Sequence, residues 1–112
     1  MQIGVKIEDS TRFEYRSQNL LNKIFTKAEQ EYCLAQQKPS HHFAGKFCAK
    51  EAARKALLQY GVTKVYLNDI EIYHDQYGNP KIRLLKKISK NLRFKVSISH
   101  DKTKAIAFVI AK

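Results

Sequence analysis

The stretch from about His41 to Tyr60 constrains this chain most, because its side chains sort by helical spacing into three chemistries. Ala49, Ala52, Ala53, Ala56, Leu57 and Tyr60 form an apolar stripe whose small alanines let another backbone come close. Lys46, Lys50 and Arg54 recur every four residues as a basic ridge, expected to be solvated. Phe47, Glu51 and Lys55 share a third face. Taken alone, Glu51 and Lys55 read as a surface ion pair worth about 0.2–0.5 kcal/mol. Gly61 fits the C′ position that ends such a helix.

Shorter elements arrange themselves around this helix. Ile3-Gly4-Val5-Lys6-Ile7-Glu8 alternates as a half-buried strand, with Ile3, Val5 and Ile7 on one face and Gly4, Lys6 and Glu8 on the other. Asp9-Ser10-Thr11 offers N-caps for a helix running through Leu20, Leu21 and Ile24. Thr26-Lys27-Ala28-Glu29 has capping-box spacing and predicts a second helix to about Gln37, broken by Lys38-Pro39-Ser40. A strand over Val65 to Tyr73, a turn-rich loop from His74 to Pro80 and a return over Lys81 to Leu84 make a hairpin. Leu84, Leu85, Ile88 and Leu92 predict a short helical piece with a basic exterior. Phe94 to Ser99 alternates again, and Ala105 to Ala111 is apolar on both faces, as a central strand is. With no internal repeat and no linker, residues 1–112 read as a single domain. Its class is α+β, an N-terminal strand and helices packed on an antiparallel sheet.

Composition narrows the function. At 112 residues and 44% hydrophobic, the chain has a packed core rather than disorder. Its longest apolar run, Ala105–Ala111, is far too short to span a membrane, and no apolar block follows Met1-Gln2-Ile3-Gly4 as a secretory signal would. Cys33 and Cys48 have neither metal spacing nor a disulfide framework, so a reduced, cytoplasmic protein is expected. Twenty-one Lys and Arg against ten Asp and Glu leave a net charge of +11. Such an excess points to an anionic partner: nucleic acid, a membrane surface, a phosphorylated small molecule or an acidic protein. It is concentrated late in the chain, where Lys81 to Lys95 carries seven basic residues and no acidic one. Ser97, Ser99 and His100 do not make a hydrolytic triad, since strand neighbours Ser99 and His100 face opposite sides. His41-His42 lack further ligands at metal spacing and read as a helix start.

Several blocks in order resemble the holo-acyl-carrier-protein synthases, the small 4′-phosphopantetheinyl transferases. They are Ile24-Phe25-Thr26-Lys27-Ala28-Glu29, Phe43-Ala44-Gly45-Lys46-Phe47 running on through Ala49-Lys50-Glu51-Ala52 to Lys55-Ala56, Asp69-Ile70-Glu71-Ile72, Gly78-Asn79-Pro80, and Val96-Ser97-Ile98-Ser99-His100-Asp101. The resemblance implies transfer of 4′-phosphopantetheine from coenzyme A to a serine of apo acyl carrier protein, releasing adenosine 3′,5′-bisphosphate, in support of fatty acid and lipid synthesis. It implies the family's α+β fold and a homotrimer with coenzyme bound between adjacent subunits. Both partners are acidic, which answers the charge without nucleic acid or membrane. By resemblance Glu51 is a magnesium-binding catalytic residue, and Lys55 a catalytic lysine beside the phosphates. Lys46 (where the family usually has arginine), Gly78, Pro80, Ser99 and His100 match coenzyme-contacting positions. Arg12, Arg16 and Lys23 fall where the family grips its carrier protein.

One position departs from that pattern. The family opens with glycine-isoleucine-glycine, a variable residue and then an aspartate that ligates magnesium; here Gly4-Val5 is followed by Lys6. Three explanations compete. Lys6 puts its ammonium where the metal would sit, Glu8 supplies the missing carboxylate, or the protein binds coenzyme A and transfers poorly. The first is favoured because an ammonium is a compact cation suited to phosphate. For the serine proton, Asp9, Glu8 and Glu51 are all candidate bases. A reading from a different class is a basic nucleic-acid-binding module using Lys81 to Lys95, with Tyr66, Tyr73 and Tyr77 as stacking surfaces.

Overall fold

The computed structural model describes all 112 residues. In chain order the elements are β1 (Gln2–Asp9), a 3-10 turn (Ser10–Phe13), α1 (Gln18–Ile24), α2 (Lys27–Leu34) and α3 (Pro39–Gln59). A second 3-10 turn (Leu67–Asp69) then leads into β2 (Ile70–His74), β3 (Pro80–Leu84), β4 (Phe94–His100) and β5 (Lys104–Ala111). All strand pairing is antiparallel, but in two sheets rather than one: β1-β5-β4, and the hairpin β2-β3. The fold is α+β, as its residue pattern predicts.

The 21-residue α3 starts with Pro39 in its first turn, where a missing N–H is harmless, and gives way to Gly61 at φ +79°. Ala49, Ala52, Ala53, Ala56 and Leu57 are wholly buried. The close approach predicted from the alanines is made by β1: a Cβ added at Gly4 would lie 1.8 Å from the Ala52 carbonyl oxygen. This contact decides which face of β1 turns inward. Gly4 is buried against α3, with Lys6 and Glu8 on the same face, while Ile3, Val5 and Ile7 stay exposed. Hydrophobicity alone would have turned the strand over, but only glycine fits against the Ala52 backbone. β5 is the central strand: Ala105, Ala107, Val109 and Ala111 face α3, and Ile106, Phe108 and Ile110 pair outward with Ile7, Val5 and Ile3. The outer face of this sheet is thus apolar and uncovered across β1 and β5, with Ile3 49%, Ile7 57% and Phe108 48% exposed, while β4 adds Lys95, Ser97 and Ser99.

Four boundaries differ from the sequence reading, one being that the strand expected from Val65 begins only at Ile70, after the 3-10 turn Leu67–Asp69. The expected first helix is split: Asp9 caps only the 3-10 turn, by accepting from the Thr11 amide, and Ser17 caps a separate α1. Capping-box bonds between Thr26 and Glu29 open α2, which ends at Leu34 rather than near Gln37. No helix forms over residues 85–93. There Lys86, Lys87 and Lys90 would stack like charges three and four apart on a helix. Instead Ile88 and Leu92 pack against the core from an irregular segment, tied down by the paired Arg93 and Lys112 backbones.

Candidate active site

β1 runs back along α3, and three contacts set the register. Gln59 Nε2 donates to the Ile3 carbonyl at 2.9 Å, and Lys55 Nζ donates to the Val5 carbonyl at 3.1 Å. Lys6 Nζ stands 6.0 Å from the centre of the Phe47 ring. Glu51 lies one helical turn from both Phe47 and Lys55, so the crossing brings Lys6, Glu51 and Lys55 to one face. The buried thiol of Cys48 feels two of these charges, Lys6 and Glu51, together with Glu8. It is pushed up to about 11, first by burial, then by the charge of Glu8; Lys6 opposes and Glu51 reinforces. The Glu51–Lys55 ion pair expected from spacing is absent, because β1 offers Lys55 a carbonyl. Glu51 instead meets Arg54 at 3.4 Å and keeps its carboxylate partly open.

The other carboxylates nearby are committed. Glu8 takes the Arg12 guanidinium at 2.8 Å and the Asp9 amide at 2.9 Å. Partial burial raises its pKa, but these two donors outweigh burial and hold it below the usual carboxylate value. Asp9 accepts from Lys104 at 3.0 Å and from the Thr11 hydroxyl at 3.0 Å, and both lower its pKa. Arg12 also lies over Phe47 at 4.6 Å, which puts it on the rim of the same face. Arg16 donates to the Phe13 carbonyl at 2.8 Å, and Lys23 is exposed in the last turn of α1.

The basic ridge does not exist as a surface. Lys46 is 3% exposed and Lys50 is fully buried, because this side of α3 meets α2, β2 and the turn before β2. Lys50 forms a sealed ion pair with Glu29 and donates to the Ile24 carbonyl at 2.7 Å and the Leu67 carbonyl at 3.0 Å. Glu29 also accepts from the Thr26 amide at 2.9 Å and the Ile72 amide at 2.7 Å. Lys46 donates to the Ile72 carbonyl at 3.0 Å, lies 3.1 Å from His74 Nε2 and sits 4.5 Å over the Tyr32 ring. His74 stacks on Tyr32 and places Nδ1 3.2 Å from the Gly78 carbonyl. These partners assign the proton to Nδ1, donating to Gly78, and leave Nε2 accepting from Lys46. Burial, then the Lys46 charge, holds the His74 pKa below its ordinary value.

The remaining predicted residues lie further round. Gly78 has φ +85°, which its turn requires, and Pro80 lines a cleft of about 460 Å³ between β3 and β4. His100, at the end of β4, meets His41 and His42 edge-to-face, with centroids 5.6 and 5.5 Å apart, around a hollow of about 320 Å³ at the start of α3. Ser99 points to the opposite side of β4, as expected. Tyr32, His74, Glu29 and the platform role of Phe47 carried no signal in the sequence beyond the capping spacing of Glu29.

A magnesium ion takes hard oxygen ligands, commonly one or two carboxylates with waters and substrate phosphates. Glu51 offers one carboxylate here, Glu8 is taken by Arg12, and Lys6 adds a positive charge. No group of three or more His, Cys, Asp or Glu side chains is placed to hold a metal ion. The Lys6 ammonium offers a divalent cation no lone pair and repels it from the single open carboxylate, so these residues do not fit a resident magnesium ion.

Fold and site together define a small α+β protein with two lysines and one open carboxylate on a face suited to a polyphosphorylated ligand. A sequence profile of the 4′-phosphopantetheinyl transferase superfamily matches residues 2–109, and the chain belongs to that family. The holo-[acyl-carrier-protein] synthase of Chlamydia caviae is 44% identical, over 96% of this chain and 93% of its own. That of Geobacter metallireducens is 38% identical over the same shares. Among solved structures, the Bacillus anthracis holo-(acyl-carrier-protein) synthase in complex with CoA (3′,5′-ADP) superposes with a TM-score of 0.82 at 29% identity, covering 98% of this chain and 94% of that one. The Helicobacter pylori enzyme in complex with coenzyme A has a TM-score of 0.80 at 30% identity, over 98% and 99%.

Proposed function

We propose that this chain is a holo-acyl-carrier-protein synthase, moving 4′-phosphopantetheine from coenzyme A to a serine of apo acyl carrier protein and serving fatty acid and lipid synthesis in the cytoplasm. The observation that carries this reading is the β1–α3 crossing, which gathers Lys6, Glu51 and Lys55 on one face. Lys55 is held by the Val5 carbonyl with donors to spare for a phosphate oxygen. Glu51 is the base: of the three carboxylates considered, Glu8 and Asp9 are already saturated by cations, while Glu51 has only a long contact to Arg54. It takes the serine proton directly or through a water.

The coenzyme bridges neighbouring subunits, with the Lys6, Glu51 and Lys55 face of one chain meeting its phosphates and His100 with the Gly78–Pro80 loop contacting it from the next. Lys46 is almost wholly buried, so it serves that loop by holding His74, which in turn holds the Gly78 carbonyl. Arg12, Arg16 and Lys23 supply the positive edge for the acidic carrier protein. The exposed apolar sheet face supports a homotrimer built from single-domain subunits, with coenzyme between neighbours. The nucleic-acid reading gains no specific observation: Arg83 lies 4.2 Å over Tyr73 and Lys86 5.7 Å from Tyr66, so those rings already carry cations.

Intact-mass spectrometry of apo carrier protein incubated with coenzyme A and this protein tests the reading. A mass gain of one phosphopantetheine is expected. An unchanged mass with correctly folded protein would overturn it.

A further inference from the structure

The charge on the active face has a consequence that goes beyond the activity and rests on the transferase reading. Lys6, Glu51 and Lys55 sum to one positive charge without any ion. With a carboxylate at position 6, the same three side chains would sum to one negative charge, and a divalent cation would be needed to reach the same value. The substitution at position 6 therefore replaces an acid-plus-metal arrangement with a lysine of equal net charge. Geometry supports the exchange. Lys6 cannot slip away from α3, because Gly4, two residues earlier on the same face, is locked against the Ala52 backbone. Its ammonium stands 6.0 Å from the Phe47 ring rather than in a salt bridge, so its charge is not consumed within the protein. The carboxylate that would compete for it on β1, Glu8, is bound by Arg12 at 2.8 Å.

We infer that Lys6 and Lys55 together neutralise the coenzyme pyrophosphate, and that transfer by this protein proceeds without a divalent cation. In the step, the serine oxygen forms a bond to the phosphorus on the pantetheine side. The bond from that phosphorus to the bridging oxygen breaks, and its electron pair leaves on adenosine 3′,5′-bisphosphate. The serine proton goes to Glu51, which is free to accept it because it ligates no metal. Lys6 and Lys55 stabilise the charge that builds on the bridging and peripheral oxygens, a role suited to a compact ammonium at a fixed point.

The test uses the full protein, stripped with a chelator, with apo carrier protein and coenzyme A as substrates and intact-mass spectrometry as readout. Calorimetry of coenzyme A binding, with and without magnesium, is the second readout. Wild type should transfer at about the same rate in chelator and in magnesium, and bind coenzyme A with the same Kd in both. Lys6→Gln should lower transfer by about 100-fold or more in either condition, the scale for losing one preorganised charge-stabilising group. Lys6→Asp should be silent in chelator, regain transfer in magnesium, and bind coenzyme A more tightly when magnesium is present. Melting curves of both variants report folding, and the wild-type comparison stands even if a variant fails to fold. Wild-type transfer abolished by chelator and restored by magnesium would overturn the inference and leave the transferase reading intact. No transfer in either condition would overturn the transferase reading and the inference with it.

Discussion

Two lysines on α3, little more than one turn apart, serve opposite ends. Lys50 looks toward α2 and β2 and is sealed at 0% exposure with Glu29, also 0% exposed. Lys55 looks toward β1 and the open face, where its only protein partner is the Val5 carbonyl. The carboxylates divide the same way. Glu29 satisfies two backbone amides and Lys50, whereas Glu51 has one long contact to Arg54. The difference teaches where a charge does chemistry. Once surrounded by enough partners it orders the fold; left half-partnered at the surface, it is available to a ligand.

The sharpest way to break this contrast is at the sealed side. Lys50→Met should leave Glu29 buried without its cation and destabilise the protein by about 3–5 kcal/mol, read from urea unfolding. A smaller loss would mean that the pair is not sealed. Glu51→Gln should do the reverse. Transfer should fall by about 100-fold or more, near 3 kcal/mol of barrier, while the unfolding midpoint hardly moves. Gly4→Ala acts on the joint between the two regions. Its methyl group meets the Ala52 carbonyl oxygen, so β1 must shift, lowering stability by about 1–3 kcal/mol and displacing Lys6, with loss of transfer beyond the fraction unfolded.

The mildest effect concerns pH. Burial and the Lys46 charge lower the His74 pKa, and burial and His100 lower that of His42. A histidine whose folded pKa lies below its unfolded value contributes full stability above the ordinary value of about 6.5 and loses it as pH falls through that value toward the folded one. The carboxylates Glu8, Glu71, Asp9, Asp75 and Asp101 all titrate below their ordinary values, so their contribution disappears only at lower pH. Between pH 7.5 and 5.5 the melting temperature should therefore drop modestly, and His74→Asn should flatten the slope. An unchanged slope in that variant would remove His74 from the account.

Much of this organisation is legible in the sequence, for physical reasons that also set the limit. The alanine stripe and Gly61 fix α3 locally, and Thr26 with Glu29 fixes the start of α2, because both signals act within a few residues. The basic ridge fails as a reading because periodicity tells which residues share a face, not what that face meets. Lys50 is buried only because Glu29, twenty-one positions earlier, reaches it in the fold. Similarly, the tie from Lys46 through His74 to Gly78 depends on packing α3 against β2. β1 shows the opposite case. Gly4 was a stronger determinant of its inward face than three aliphatic side chains, and those aliphatics became the uncovered surface of the sheet.

The division of labour across α3 is tested most directly by measuring, for Lys50→Met and Glu51→Gln side by side, both the unfolding free energy and the rate of holo-carrier-protein formation per folded molecule. The account predicts crossed results: Lys50→Met loses stability and keeps most of its rate per folded molecule, while Glu51→Gln keeps its stability and loses the rate. A Glu51→Gln protein that transfers phosphopantetheine as fast as wild type would contradict it.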